Sequence, residues 1–233
     1  TMHYFVSDIH GEYELFLHLL DKIGFSGGDT VYILGDLIDK GERSVELIDF
    51  VRSEHGFVPV YGNHEYSFIK YYHGLMRSCS SEADAENVLL KLRKYFQGGE
   101  KLSWNAVDYL ESLPFYIEFD DFICVHAGVA VDGDGMILPL NGQLRETLVY
   151  DRNFKDEGFV LSENNKTILF GHTPCSYTNG TGEFIKMPKA GIVSPEKLSD
   201  YSKIRLDCGV FITGKLGALR LEDMREFYVE KDD

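Results

Sequence analysis

Five short apolar runs recur along the chain, and a Gly or Asp follows each of them within three residues. They occupy residues 3–6, 30–34, 57–60, 122–125 and 167–170. Their length and their content of β-branched and aromatic residues are typical of buried β-strands. We therefore expect five core strands that each end in a turn.

Helical periodicity separates the first three of these runs. Residues 12–23 place their apolar side chains on one face, and Gly24 is a typical residue at the end of a helix. A second helix should begin with Ser44 as its N-cap and continue to about Ser53. This alternation of strands and helices predicts parallel βαβ units with right-handed crossovers.

Residues 66–112 have helical periodicity without strand-like runs, which predicts a helical insert. Its aromatic residues are expected to pack into a core rather than to stack on a base; they are Tyr66, Phe68, Tyr71 and Tyr72. The insert should cover one side of the functional site described below.

Antiparallel pairing is expected in the second half of the chain. Residues 115–119 and 122–125 flank an Asp120-Asp121 turn, and residues 215–230 alternate as a hairpin around Glu222-Asp223. Asp132 to Gly135 is interpreted as a turn, because the remaining ligands of a calcium loop are missing. We predict a single α/β domain over residues 1–233.

Composition and charge narrow the possible partners. Of the 233 residues, 44% are hydrophobic and 26% are charged, which is ordinary for a globular protein with a sizeable core. The net charge of −15 disfavours binding to a nucleic-acid backbone, whose phosphates would be repelled. No apolar stretch approaches the roughly 20 residues of a membrane span. We therefore predict neither nucleic acid nor membrane as a partner.

Four scattered cysteines form no CxxC pair; they are Cys79, Cys124, Cys175 and Cys208. Cys124 lies in a strand-like run and Cys208 beside one, so reduced and buried thiols are expected there. No signal-peptide pattern precedes the first strand, and we expect Met2 to be the natural first residue. These features predict a cytoplasmic protein.

A motif of metal-competent side chains follows each strand-like run. The motifs are Asp8-Ile9-His10, Gly35-Asp36-Leu37-Ile38-Asp39, Gly62-Asn63-His64-Glu65, His126-Ala127-Gly128 and Gly171-His172-Thr173. In α/β sheets, ligands bind at the carboxyl ends of the strands. Asp8 and His10 are one residue apart, so on an extended strand end both should point to the same side. Mixed carboxylate and imidazole ligands suit Mn²⁺, Fe or Zn²⁺ better than Ca²⁺.

These motifs predict two divalent metal ions, with Mn²⁺ favoured and Fe or Zn²⁺ as alternatives. Asp36 would bridge them, with Asp8 and His10 completing one site and Asn63, His126 and His172 completing the other. Two such cations leave a local positive charge that can attract and polarise a phosphoryl group in an acidic chain. His64 would protonate the leaving group, and Asp39 would orient and charge the His64 ring.

The five motifs together resemble the metal-dependent phosphoprotein phosphatase family of calcineurin-like phosphoesterases, whose patterns are DxHG, GDxxDRG, GNHE, H(A/G)G and GHT. Its small bacterial and phage branch and the symmetrical diadenosine tetraphosphatases are the most similar groups. Asp207-Cys208-Gly209 also resembles a late strand start in the bacterial members. The resemblance implies a calcineurin-like fold of two mixed β-sheets in a sandwich flanked by helices.

Two positions depart from the family pattern. Lys40 stands where the family usually has an Arg that grips phosphate with a bidentate fork, so the grip on substrate should be looser or differently shaped. Arg152 is the best match for a second phosphate-binding Arg, although Asp151 beside it would also allow a structural ion pair.

The leading functional hypothesis is a phosphomonoesterase of the serine/threonine phosphoprotein phosphatase type. The Asp39–His64 pair favours it, because the resembling tetraphosphatases often lack the acid at the position of Asp39. One alternative is symmetrical hydrolysis of diadenosine tetraphosphate, with a small phosphoester as the partner instead of a phosphorylated protein. The alternative from another class is a non-catalytic metal-binding scaffold.

Overall fold

The computed structural model describes residues 1–96 and 101–231, so residues 97–100 of the predicted insert lie outside the described residues. Ten strands form in the described part of the chain, and all five predicted runs are among them. The strands are β1 (His3–Val6), β2 (Thr30–Ile33), β3 (Phe57–Pro59), β4 (Tyr116–Glu118), β5 (Phe122–Val125), β6 (Thr167–Phe170), β7 (Ile185–Pro188), β8 (Tyr201–Arg205), β9 (Lys215–Arg220) and β10 (Glu226–Glu230).

Eight α-helices are present in the same described ranges, and three of them form the region of the predicted insert. The helices are α1 (Tyr13–Ile23), α2 (Ser44–Ser53), α3 (Asn63–Met76), α4 (Glu82–Arg93), α5 (Trp104–Glu111), α6 (Arg145–Tyr150), α7 (Ser176–Asn179) and α8 (Val210–Thr213). Short 3₁₀ turns form at Leu140–Gly142 and Leu198–Asp200.

The strands form two mixed sheets of five strands each. The first has the order β10-β9-β1-β2-β3 and the second the order β4-β5-β6-β8-β7. Strands β1, β2 and β3 are parallel, which confirms the predicted βαβ units. The predicted antiparallel pairs β4–β5 and β9–β10 are also present.

The two sheets pack face to face across a shared apolar layer. Phe5 of β1 meets Phe122 of β5 with ring centroids 5.4 Å apart, and Leu169 of β6 lies in the same buried cluster. Side chains alternate along a strand, so the neighbours of Phe5 face the opposite way. Tyr4 and Val6 accordingly pack against the helices in a second, larger cluster. The predicted sandwich of two mixed sheets flanked by helices is confirmed.

The predicted end of α1 is confirmed, but the predicted N-cap of α2 is not. Helix α1 stops at Gly24, which adopts a left-handed conformation (φ 65°) that glycine tolerates, as the sequence predicts. Ser44 is not the N-cap of α2, so that expectation is wrong. Arg43 occupies the cap position, and the Ser44 hydroxyl is buried without a hydrogen-bond partner in the described residues.

The insert region packs mainly through its own aromatic residues. Phe68 of α3 is fully buried, and its ring lies 5.2 Å from Tyr95 and 5.3 Å from Phe96, which follow α4. Tyr71 is exposed, so the expectation that it packs into a core is wrong for this residue, although its ring stacks on Tyr95 at 5.9 Å. Helix α3 begins at Asn63, three residues before the predicted insert, so the motif that contains Asn63 opens this helix.

Strand β8 corrects one expectation from the resemblance. The Asp207-Cys208-Gly209 motif does not start a strand; β8 ends at Arg205, and Asp207 lies in the turn that leads to α8. This turn is on the same side as the carboxyl ends of the other central strands. No helix of the described residues is both long and apolar enough to cross a membrane.

Candidate active site

The predicted site residues converge at the carboxyl ends of strands from both sheets. Asp8 follows β1, Asp36 follows β2, His126 follows β5 and His172 follows β6, while Asn63 opens α3 shortly after β3. Parallel strands end at a common edge, which explains why residues far apart in sequence meet here.

The backbone of the site is unusual. Seven non-glycine residues in the described ranges have positive φ, and six of them belong to the predicted site: Asp8, His10, Asp36, Asp39, Lys40 and His172. Left-handed conformations of such residues are uncommon and cluster at functional sites. The expectation of an extended strand end at Asp8 and His10 is wrong, because their φ values are 54° and 50°.

Two groups of side chains at this edge are compact enough to hold metal ions. The ligand atoms of His10, Asp36 and His64 lie within 4.8 Å of one another, and so do those of Asp36, His126 and His172. Asp36 belongs to both groups. Its Oδ2 lies 3.5 Å from His10 Nε2 and 3.5 Å from His126 Nε2, so one carboxylate oxygen faces both ligand groups.

Asn63 joins the second group directly. Its Oδ1 lies 3.0 Å from His126 Nε2 and 2.8 Å from His172 Nδ1. Asp8 lies beside the first group, with Oδ1 4.0 Å from His10 Nε2. The structure thus brings all six predicted metal ligands together, and His64 lies as close to the first group as its predicted members do.

Hydrogen bonds orient two of the histidine rings. Nδ1 of His10 donates to the Ile38 carbonyl at 2.9 Å, and Nδ1 of His126 donates to the Leu34 carbonyl at 2.7 Å. Each bond keeps the proton on Nδ1, so Nε2 has the free lone pair and faces Asp36. This tautomer is the one that metal binding through Nε2 requires.

Burial sets the protonation of these groups. It lowers the pKa of His126, lowers that of His10 well below its usual value and lowers that of His172 to about 2. Burial also raises the pKa of Asp8 and of Asp36 to about 6. Neutral imidazoles and crowded buried carboxylates are a donor set that two divalent cations fit, because the cations would supply the missing positive charge.

Glu65 braces the loops of the site, a role that the sequence motif does not reveal. Its buried carboxylate accepts hydrogen bonds from the backbone amides of Asp36 (2.9 Å), Ile38 (3.1 Å) and Gly62 (2.9 Å). One side chain therefore fixes the loop after β2 against the first turn of α3. Burial and the charge of Asp36 raise the pKa of Glu65 to about 7.

Close backbone approach explains two glycines of the motifs. A Cβ on Gly62 would lie 2.0 Å from Asp36 Oδ1, and a Cβ on Gly171 would lie 2.2 Å from Asp8 Oδ2. Neither carboxylate could keep its place beside a larger residue. Both glycines therefore leave room for the acidic groups that the site brings together.

Asp207 is a further acidic residue at the site, and sequence reasoning gave it no role. It is buried in the turn after β8, where Oδ1 accepts a 2.7 Å hydrogen bond from the Gly209 amide. Burial and the nearby charge of Asp8 raise its pKa well above the usual value. Its motif was the only signal, and that motif suggested a strand instead.

His64 and Asp39 form the predicted pair. Nδ1 of His64 lies 2.6 Å from Asp39 Oδ2, and His64 Nε2 lies 3.8 Å from Asp36 Oδ2. Burial alone would lower the pKa of His64, but the hydrogen bond to Asp39 and the neighbouring carboxylates raise it to about 9. A protonated ring at neutral pH is the form that a general acid needs.

Tyr95 extends this pair from the insert region. Its hydroxyl donates to Asp39 Oδ2 at 3.2 Å, so the residue after α4 reaches the site. Sequence periodicity marks Tyr95 only as a core position of a helix. The contact joins residues that are 56 positions apart, and no local pattern could have identified it.

Lys40 and Arg152 line one cavity of about 240 Å³ together with His10, His172 and Asp207. Lys40 Nζ lies 2.8 Å from His10 Nε2. Asp151 accepts hydrogen bonds from the amides of Asn153 and Phe154, and within the described ranges it forms no ion pair with Arg152. Both predicted phosphate-binding side chains therefore face the same cavity.

Two proteins that are similar in sequence to this chain are named as tetraphosphatases. The chain is 31% identical over 129 residues to the symmetrical bis(5'-nucleosyl)-tetraphosphatase of Neisseria gonorrhoeae, a match that covers 54% of this chain and 43% of that protein. It is 27% identical to the asymmetrical bis(5'-nucleosyl)-tetraphosphatase of Bacillus velezensis, over 72% of this chain and 76% of the relative. The chain thus spans less than half the length of the first of these relatives.

A solved structure matches almost the whole fold. It is the crystal structure of a candidate diadenosine tetraphosphatase, with a TM-score of 0.67, 20% identity, and coverage of 98% of this chain and 93% of that one. At this level of identity the likeness concerns the fold alone.

The fold and the clustered carboxylates and imidazoles define a metal-dependent phosphoesterase. Residues 4–196 match the calcineurin-like phosphoesterase family, and the chain belongs to that family. This is a family of phosphoesterases, so the non-catalytic scaffold is the weaker interpretation.

Proposed function

We propose that the protein is a two-metal hydrolase that acts on dinucleoside polyphosphates such as diadenosine tetraphosphate. The observation that carries the two-metal part is the position of Asp36, which belongs to both compact ligand groups. The substrate class is supported by the two relatives, which are named tetraphosphatases of the symmetrical and the asymmetrical type.

The first cation would be held by Asp8, His10 and Asp36, and the second by Asp36, Asn63, His126 and His172. Bound there, the pair would supply the Lewis acidity that activates water and polarises the phosphoryl group, with Mn²⁺ favoured and Fe or Zn²⁺ also compatible with these donors. The preference for Mn²⁺ rests on the chemistry of these donors.

The side chains around the metal groups would handle the substrate. Lys40 and Arg152 face the cavity and would neutralise the phosphates. As the water oxygen bonds to phosphorus, the bond to the leaving oxygen breaks, and His64 donates its proton to that oxygen. Asp39 then stabilises the remaining ring by orienting its Nδ1–H, and Tyr95 holds Asp39 in place.

Hydrolysis of phosphomonoesters, including phosphoserine and phosphothreonine in proteins, is the second candidate. It is favoured by the short hydrogen bond between His64 and Asp39, which suits protonation of an alkoxide leaving group. The names of the relatives favour the dinucleoside polyphosphate, so we place the phosphoprotein phosphatase reading second.

A direct comparison of substrates tests the proposal. The Mn²⁺-loaded protein would be given diadenosine tetraphosphate and a phosphoserine peptide in parallel, with the Asp36→Asn variant as the inactive control. Products would be separated by anion-exchange chromatography. We expect a higher kcat/KM for the dinucleotide, with two ADP molecules as products if cleavage is symmetrical, or AMP and ATP if it is asymmetrical. A phosphopeptide preference of about tenfold or more would overturn the proposal.

A further inference from the structure

One wall of the active-site cavity is apolar and exposed. Tyr177 on α7 is 68% exposed, while Phe211 and Ile212 on α8 are 42% and 56% exposed. All three line the cavity that also contains Lys40 and Arg152. Large hydrophobic side chains grouped at the mouth of a site mark a ligand-binding surface more often than isolated ones do.

The two short helices hold this wall in a fixed place. The turns that carry them meet at Gly209, where a Cβ would lie 2.9 Å from Pro174. Val210 is buried next to Phe211, so α8 is anchored by one side chain and presents the next two to the cavity. His172, two residues before Pro174, joins the same unit to the metal-binding edge.

Phe211 connects the apolar wall to the reacting centre. Its ring lies edge-on to His10, with centroids 5.9 Å apart. Two ammonium groups lie near the ring, Lys40 Nζ at 5.9 Å and Lys231 Nζ at 5.0 Å from its centroid. Tyr177 is different, because its side chain makes no hydrogen bond or ring contact with any of the residues described. A flat ring is thus available beside the groups that would hold the phosphates.

We propose that Tyr177 and Phe211 form a stacking surface for a nucleobase of the substrate, an inference that rests on the proposed function. Bases stack on aromatic side chains through their flat faces, and this interaction tolerates any base. A nucleotide would place its phosphates between Lys40 and Arg152 and turn its base toward the aromatic wall.

The neighbouring cavity shows why the phosphates belong with Lys40 and Arg152. This cavity of about 370 Å³ shares Lys40 and Phe211 with the first one and is also lined by Arg43 and Lys231. Those two cations are already paired, Arg43 with Glu14 and Lys231 with Glu12 at 2.7 Å. The neighbouring cavity therefore has space for the rest of a dinucleotide but little unpaired positive charge.

Competition experiments can separate base binding from phosphate binding. ADP and pyrophosphate would be compared as inhibitors of p-nitrophenyl phosphate hydrolysis by the Mn²⁺-loaded protein. The Tyr177→Ala and Phe211→Ala variants should raise the inhibition constant of ADP by roughly 5- to 150-fold, the range for loss of one stacked base. The constant for pyrophosphate should change less than about twofold, because pyrophosphate has no base.

Three further variants make the result specific. Tyr177→Phe should keep the ADP inhibition constant, because the ring remains, and Tyr177→Leu should raise it, because an apolar side chain without a flat face cannot stack. Val193→Ala removes an exposed apolar side chain that does not line the cavity, so it should have no effect.

The inference is overturned by equal changes for ADP and pyrophosphate, or by wild-type inhibition constants for ADP in both alanine variants. It is also overturned if the alanine variants raise the KM of a phosphopeptide while ADP inhibits like pyrophosphate, because the wall would then bind a peptide. The proposed function fails separately, when the wild-type protein does not hydrolyse diadenosine tetraphosphate. The inhibition assay does not depend on that hydrolysis.

Discussion

Lys40 Nζ lies 2.8 Å from His10 Nε2, the ring atom that faces Asp36 and the first proposed metal position. An ammonium group and a divalent cation cannot share one lone pair. Metal loading must therefore move Lys40 away from His10, and the cavity toward Arg152 is the open direction. The same side chain would thus oppose metal binding and assist phosphate binding.

The first prediction follows from this opposition. Lys40→Met should bind Mn²⁺ more tightly, by up to about fivefold, because a competing positive charge of modest strength is removed. Isothermal titration of the metal-free protein with Mn²⁺ measures the change. Lys166→Met, which removes a lysine of the surface pair with Glu118, is the control and should leave the affinity unchanged. Weaker binding by Lys40→Met would show that Lys40 does not compete for the site.

A second prediction concerns the grip of the same residue on the substrate. Lys40→Arg should lower the KM for a phosphomonoester. A guanidinium can donate to two phosphoryl oxygens at once, whereas an ammonium group acts as a single point charge. Lys40→Ala should raise the KM. Steady-state kinetics at saturating Mn²⁺ test both changes. An identical KM in all three proteins would place Lys40 outside the substrate site.

The third prediction concerns metal content. The wild-type protein loaded with Mn²⁺ should retain two ions per chain, and Asp36→Asn should lose both, because Asp36 belongs to both ligand groups. His10→Asn should weaken mainly one ion, because His10 belongs to one group. Elemental analysis after gel filtration gives the stoichiometry. A wild-type protein with at most one ion, or an Asp36→Asn variant that keeps two, would contradict the bridging role.

The local motifs predicted most residues of this site. The elements that could not be predicted from the sequence depend on contacts between distant residues. Strand β8 was not among the five predicted core strands, because Lys203 and Arg205 interrupt its apolar pattern although both are buried. Lys203 is tolerated because Nζ donates to the carbonyls of Phe154, Asp156 and Phe159 at 2.8–2.9 Å. These partners are more than 40 residues away, so no local pattern could show them.

The orientation of the ligand side chains could not be predicted from the local sequence either. Periodicity predicts that Asp8 and His10 share one side of an extended strand, yet both have left-handed backbones. The Asp8 carboxylate accepts a 3.1 Å hydrogen bond from the His172 amide, 164 residues away. The contact between the two loops therefore settles the conformation, and the motif only supplies the chemical groups.

The fourth prediction tests the bracing role of Glu65. Glu65→Gln replaces one acceptor oxygen by a donor, so a buried amide of the loops at Asp36, Ile38 or Gly62 loses its partner. The free energy of unfolding should fall by about 1–3 kcal/mol, which corresponds to a Tm lower by about 2–12 °C for a domain of this size. Differential scanning calorimetry of the metal-free proteins measures it at a pH above about 8, where a carboxyl group with a pKa of about 7 is ionised. Glu46→Gln, at an exposed glutamate, is the control, and an equal loss in both variants would refute the role.

The last prediction separates proton delivery from metal binding. His64 Nδ1 is held by Asp39, and His64 is not required to complete either proposed ligand set. His64→Asn should therefore keep both metal ions while turnover of a phosphoserine peptide falls by about 10²–10⁴, the range for loss of a general acid. The loss on p-nitrophenyl phosphate should be smaller, because nitrophenolate leaves as a stable anion without a proton. Stopped assays of both substrates at equal metal content measure the two ratios.

Two comparisons sharpen this test. Asp39→Asn should show the same dependence on the leaving group in milder form, because Asp39 acts only through the orientation and charge of the His64 ring. His18→Asn changes an exposed histidine of α1 and should alter neither substrate. If His64→Asn lost the same factor on both substrates while both metal ions remained, His64 would be a residue that positions the phosphate, and the proton would have to come from another group.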